Sequence, residues 1–368
     1  MTRKQVTTIG ALALAITAML AVSSRIAVAN SKANAQGLWV GGEKYFSEFQ
    51  GKSLLTSGTP RAHLAFGSVN YNSPLSIVFD AHQNLWTVFE DPNGLPSAAI
   101  EISRGDFALL KEGKHVKPRV AIGPKTNTST FPFQFAESIG LDAAGDLWVI
   151  DLGRRLLEFL SSQIKKSGGP APSVVITPTA DTYIQKIKFD RSDNLWIVAT
   201  PMPFNPSNPE QMWRLTPSNR AASGPSNPSL VLNIPGGVTV FDFAFDGSGN
   251  LWLAGTTSQT EEIEMIPAGD LSGTGVVTPS AGAILTSPAF APEVLDTPCL
   301  GGIDFDASGD LWASVNDNSF GCVNGVVEFT ASQLTNVGNL TPSVIVGQNS
   351  SHTNLFISGP IKFGPTVK

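Results

Sequence analysis

A phrase of eight residues recurs along this chain, and that recurrence limits the folds open to it more than any other feature. It runs Phe79-Asp80 to Leu85-Trp86, Leu141-Asp142 to Leu147-Trp148, Phe189-Asp190 to Leu195-Trp196, Phe245-Asp246 to Leu251-Trp252 and Phe305-Asp306 to Leu311-Trp312. A sixth Leu-Trp pair, Leu38-Trp39, starts near the N-terminus without the strand that should precede it. That strand stands at the other end, in Gly359 to Gly364. Repeat tryptophans are spaced from 47 residues (Trp39 to Trp86) to 62 residues (Trp86 to Trp148), the period of propeller blades.

Each unit reads as four strands. Strand A is the apolar run ending in Phe-Asp, followed by a tight turn rich in Gly, Asn and Asp, residues that accept left-handed backbone angles. Strand B carries Leu-Trp. Strand C carries Glu48-Phe49, Glu101-Ile102, Glu158-Phe159, Arg214-Leu215, Glu264-Met265 and Glu328-Phe329, one mark for each Leu-Trp. Strand D follows a proline, as in Pro118 before Val120 and Pro172 before Val174, with Pro279 standing further from Ile284 in the fifth unit. Proline cannot donate a ladder hydrogen bond and belongs at a strand start or on an edge. The expected fold is all-β: a six-bladed β-propeller of four-stranded blades, its ring closed by pairing of the N- and C-terminal strands. The repeat tryptophans should pack between neighbouring blades.

Composition agrees. Of 368 residues, 42% are hydrophobic and only 15% charged, with 35 Gly and 26 Pro, as suits many short strands joined by turns. A net charge of −6 and the lack of a basic run exclude the electrostatic footprint of nucleic-acid binding. Residues 1–29 read as a signal peptide, with basic Arg3 and Lys4, an apolar run from Ile9 to Val22 and a small-x-small site at Ala27-Val28-Ala29. A second site at Ala33-Asn34-Ala35 would place cleavage as late as residue 35, and an uncleaved anchor is the alternative. Residues 36–368 form one propeller domain. The expectation is an exported protein, periplasmic or extracellular, with no membrane span in the mature chain. Cys299 and Cys322 flank strand B of one blade; a disulfide and two buried thiols both stay open.

The repeated apolar-apolar-Asp-x-x-Gly-Asn-Leu-Trp phrase resembles the NHL-repeat propellers and the wider superfamily of senescence-marker/gluconolactonase proteins, strictosidine synthase and virginiamycin B lyase. The resemblance runs from about residue 36 to the end and rests on turn and core residues. It implies a site on the face where strand A begins. Gluconolactonase-like members are similar in placing metal ligands five residues ahead of the turn aspartate. The matching positions here are Leu75, Glu137, Gln185, Phe241, Gly301 and Gly359. Glu137 fits the acidic type, Gln185 offers an amide oxygen, and Asp242 is one position off, so that alternation along a strand turns it from the channel. These three are the channel-mouth candidates, and Glu137 is the candidate metal ligand for a divalent cation (Ca, Mg or Zn), which wants several converging oxygens. Likeness to the lyase implies a histidine; of His63, His82, His115 and His352, only His352 falls on the right face, as a candidate base. The Asp-rich turns lack the bidentate Glu of a calcium loop and read as hairpin turns.

Long loops on that face are where binding usually resides. Phe131, Phe133 and Phe135 alternate in one of them and could face a ligand or pack inward. The leading functional expectation is a binding scaffold for an unknown small molecule or protein. The rival is a metal-dependent lactonase, hydrolase or lyase.

Overall fold

The computed structural model describes residues 36–42, 45–55, 57, 64–66, 74–89, 98–111, 116–123, 133, 135–178, 181–203, 209–257, 260–290, 299–315, 325–347 and 359–366. The expected leader with its candidate cleavage sites, Phe131, His352 and Cys322 lie outside these residues. Six sheets run around an axis, each ordered A-B-C-D by antiparallel pairing. Blade 1 holds Ile361–Pro365, Gln36–Gly42, Tyr45–Phe49 and Leu64–Phe66. Blade 2 holds Pro74–Phe79, Leu85–Phe89, Ala99–Ile102 and Val120–Ile122. Blade 3 holds Ala136–Leu141, Leu147–Asp151, Arg155–Phe159 and Val174–Thr177. Blade 4 holds Thr182–Phe189, Leu195–Pro201, Gln211–Leu215 and Leu230–Asn233. Blade 5 holds Thr239–Phe245, Leu251–Thr256, Glu261–Ile266 and Ala283–Leu285. Blade 6 holds Leu300–Phe305, Leu311–Val315, Gly325–Phe329 and Val344–Val346.

The two ends of the chain meet in blade 1. Leu38 stands opposite Phe363 and Trp39 opposite Lys362, and the Trp39 indole donates to the Pro365 carbonyl at 3.2 Å. The core sits between blades. Six buried clusters each combine two consecutive blades, the sixth joining Leu38, Val40 and Ile361 to Trp312, Val326 and Val344. The repeat tryptophans are the largest members, none more than 3% exposed. Trp39, Trp148, Trp196, Trp252 and Trp312 each meet, at 5.6–6.5 Å between ring centroids, a phenylalanine in strand A of the next blade. In the third blade the matching position is a leucine, Leu141, which packs against the buried cluster that contains Trp86.

The repeated aspartate makes the turn. One carboxylate oxygen of Asp190 accepts from the backbone of Ser192 and Asn194 at 2.8 and 2.9 Å, and Asp80, Asp142, Asp246 and Asp306 repeat the pattern. The residue three after each aspartate has positive φ: Gln83, Gly145, Asp193, Gly249 and Gly309. That requirement is why glycine recurs in the phrase.

Two details depart from the expected pattern. Tryptophan faces the strand-C acid or arginine across the ladder in five blades, but Trp252 faces Met265, and Glu264 faces Leu253. The fifth copy of the mark is thus slipped by one residue. Blades 3 and 4 also gain a short fifth strand, Gly224–Pro225 and Gly275–Val277, which pair in parallel with the outer strand. Both come from the next blade's C-to-D connection. The same connection bridges Gly168 to Ile122 and Asn339 to Thr286, and Ser57 Oγ accepts from the Ile345 amide at 3.0 Å. In blade 2 the connection forms the helix Phe107–Lys111, which lies against Leu64–Phe66 of blade 1. Around the whole ring, each blade clasps the outer edge of the one before it.

Candidate functional site

Where strand A begins, the ladder skips a residue. Register shifts fall between Pro74 and Ser76, Ala136 and Ser138, Ile184 and Lys186, Val240 and Asp242, and Leu300 and Ile303. Such a bulge inserts one unpaired residue and re-aims the side chains beside it. The bulged residues are Leu75, Glu137, Gln185 and Phe241, with Gly301 in the wider irregularity. These are the positions that the resemblance to gluconolactonase-like proteins implies for metal ligands.

The bulge reverses that nomination. Glu137 turns to the next blade and accepts from Tyr183 Oη at 2.7 Å. Burial pushes its carboxyl up, against the Tyr183 bond and Lys186. Gln185 stays within its own blade, donating to Thr200 Oγ1 at 2.8 Å, while Thr200 donates to Glu210 at 2.9 Å. Neither lines the axial cavity. Asp242, expected to point away, does line it. Each of the three has a different protein partner.

The cavity has a volume of about 300 Å³ and is walled by the inner strands of all six blades. Counting back from the turn residue by twos gives its walls, as strand alternation requires. Four positions back stand Ser76, Ser138, Lys186, Asp242 and Pro360; two back stand Val78, Gly140, Lys188, Ala244, Asp304 and Lys362. Most of the polar groups stitch neighbouring blades. Ser138 Oγ accepts from the Ile187 amide at 3.2 Å. Lys188 Nζ meets Asp242 at 2.7 Å, and the other Asp242 oxygen accepts from the Ile303 amide at 2.9 Å. Lys362 Nζ meets Asp304 at 3.0 Å, and Asp304 also accepts from the Phe363 amide at 2.9 Å.

Lys186 differs. Its ammonium reaches across the axis from blade 4 to blade 2 and donates to the Leu75 carbonyl at 3.1 Å. Among the described residues it has no carboxylate at salt-bridge distance. Burial pushes its pKa down, with Asp242 and Glu137 pulling against burial and Lys188 reinforcing it. The simple signal for this site was in the sequence, in Lys186, Lys188, Asp242, Asp304 and Lys362 at even spacings before the turns. The bulge hides it, since a count from the bulged residue is one position out of phase with the channel wall.

Acidic groups do gather elsewhere. Asp142, Asp146 and Glu158 in blade 3, and Asp306, Asp310 and Glu328 in blade 6, each place three carboxylate oxygens close enough to share an ion. Both lie at the A-to-B turns, on the face opposite the strand-A entrance, and neither includes Glu137. In the first, Arg220 already supplies the cation: Nη1 lies 3.0 Å from Asp142, its other nitrogen meets Asp193, and its guanidinium covers Trp148 and Phe189. In the second, Glu328 accepts from Ser343 Oγ at 2.7 Å, and its carboxyl is pushed up to about 7, first by burial and then by Asp310 and Asp306.

The aromatic loop is divided. Phe133 is fully buried against Phe159, a core residue rather than a ligand-facing one. Phe135 is half-buried, with its amide on Asp151 at 3.0 Å. Cys299 is buried and disulfide-bonded.

No family model matches the chain, and no curated protein does. Solved structures do. A protein of unknown function from Bacteroides caccae is 10% identical over 90% of this chain and 99% of its own, with a TM-score of 0.54. A gluconolactonase from Xanthomonas campestris is 17% identical over 70% of this chain and 71% of its own, with a TM-score of 0.41. A catalytically inactive virginiamycin B lyase from Staphylococcus aureus with quinupristin is 13% identical over 81% and 82%, with a TM-score of 0.38. Likeness at these identities is likeness of fold.

Proposed function

We propose that this chain is an exported NHL-like propeller that serves as a binding scaffold and takes a small molecule in its axial channel. One observation carries the reading. All six blades contribute to a single cavity of about 300 Å³, at the lower end of the range of small-molecule sites. It combines apolar walls with a few fixed polar groups, which is how such sites obtain affinity and orientation. The scaffold reading is favoured over the lactonase or lyase reading because Glu137, Gln185 and Asp242 each turn to a separate protein partner. A hard cation needs its oxygens to converge.

Narrowing the channel with Val78→Phe tests the reading. Ligand binding should be lost while the unfolding temperature stays close to the parent's. Metal-dependent turnover of a lactone that disappears in Glu137→Ala would overturn the scaffold reading. Export is tested separately, by sequencing the N-terminus of material recovered outside the cytoplasm; it should begin after Ala29 or after residue 35.

A further inference from the structure

The charges along the axis do not cancel. Lys186, Lys188 and Lys362 face Asp242 and Asp304, while Asp190 and Arg191 at the far mouth offset one another. One positive charge is left over in a chain whose net charge is −6. The leftover belongs to Lys186 by geometry. Lys188 and Lys362 are spent on Asp242 and Asp304, and both aspartates have their second oxygen committed to a backbone amide. Lys186 has spent one of its three donors, on the Leu75 carbonyl. A half-buried ammonium with no carboxylate at salt-bridge distance is costly, and an anion in direct contact offsets the cost.

We propose that the channel binds a small amphipathic monoanion, with a carboxylate head on Lys186 Nζ and an apolar body along Val78, Ala244 and Pro360. This rests on the reading of the channel as a ligand site and goes further by naming the ligand's class. A phosphate monoester is the less suitable anion. It carries close to two charges near pH 7 and wants several donors, whereas one uncommitted ammonium is on offer. A free cation would meet that ammonium directly. A neutral molecule would leave it unpaired. The volume admits a short chain or a single ring attached to the head group, and no more.

The experiment uses 4-phenylbutyrate, 4-phenylbutanamide, 4-phenylbutylamine and phenyl phosphate against the mature chain. Binding is followed by saturation-transfer NMR and calorimetry at millimolar concentration. The carboxylate should bind, the amide and the phosphate about ten-fold more weakly, and the amine not at all. Lys186→Met should weaken the carboxylate about ten-fold and leave the amide unchanged. Lys186→Gln, which keeps a donor for the Leu75 carbonyl but removes the charge, should behave in the same way and serves if the Met variant does not fold. Equal binding of carboxylate and amide, insensitive to both Lys186 variants but lost in Val78→Phe, overturns the anion and leaves the channel standing as a ligand site. Preference for the phosphate also overturns the monoanion. Binding that survives Val78→Phe, or the absence of binding by every probe, overturns both.

Discussion

Glu264 illustrates how one residue of slippage becomes an energetic liability. Had the fifth strand C kept the common register, this acid would sit opposite Trp252; instead it lies opposite Leu253, 2% exposed, with Oε2 lacking a partner. Burial, then the charge of Glu262, pushes its carboxyl up to about 7 from an ordinary 4.5. The folded state therefore holds a proton that the unfolded state releases between pH 4.5 and 7, and stability falls as pH rises through that window. Glu264→Gln should raise stability by roughly 2–3 kcal/mol above the window and change it little below. Denaturant titrations on either side check this; a gain independent of pH would refute it. Gln83 carries a smaller strain, a left-handed φ of 64° where three other blades use glycine. Gln83→Gly should stabilise by about 0.5–1 kcal/mol in the same assay.

At the level of strands and blades, the tryptophans dominate. Trp148 is fully buried, meets Phe189 across the blade boundary and hydrogen-bonds Asp142 at 3.1 Å. Trp148→Ala should cost about 3–5 kcal/mol, read from the shift in denaturation midpoint. The clasp on each outer strand does a different job: it occupies donors and acceptors that an edge would otherwise present to another chain. Deleting Gly275–Val277 should leave the melting temperature almost unchanged but speed aggregation, seen by light scattering. An unchanged aggregation rate would remove the clasp from this role. The strands themselves were legible from the chain because turn aspartate, Leu-Trp and proline mark their ends chemically. The channel lining was not. A bulge leaves no residue-type signature at Leu75, Glu137, Gln185 and Phe241, which share neither size nor charge, so the alternation that places Lys186 and Asp242 on the axis was read one residue out. The clasps carry only a two-residue mark, Ser-Gly at 57–58, 167–168 and 223–224, whose serine hydroxyls accept from the outer-strand amides of Ile345, Ala121 and Val175; it is too short to stand out in a chain rich in both residues.

For the molecule as a whole, closure is the test. A chain ending at Ser358 lacks the strand that pairs with Gln36–Gly42, the carbonyl that receives the Trp39 indole and the lysine that pairs with Asp304. It should lose cooperative unfolding and elute as an expanded species; a truncated form as compact and stable as the parent would refute closure by the termini. Peptide mass spectrometry of the purified, unreduced chain should show Cys299 joined to Cys322, and two free thiols would reject that pairing. The seam between blades 6 and 1 is held by Lys362 on Asp304 at the axis, by Leu38, Val40 and Ile361 against Trp312, Val326 and Val344 in its core, and by Ser57 on Ile345 at the rim. Everything from Gln36 onward can emerge and begin to pack, but the first blade has no inner strand until Ile361–Pro365 is free. A polypeptide built in this way stays open to a chaperone or a narrow pore until Ile361–Pro365 has emerged, and becomes a finished solid only then.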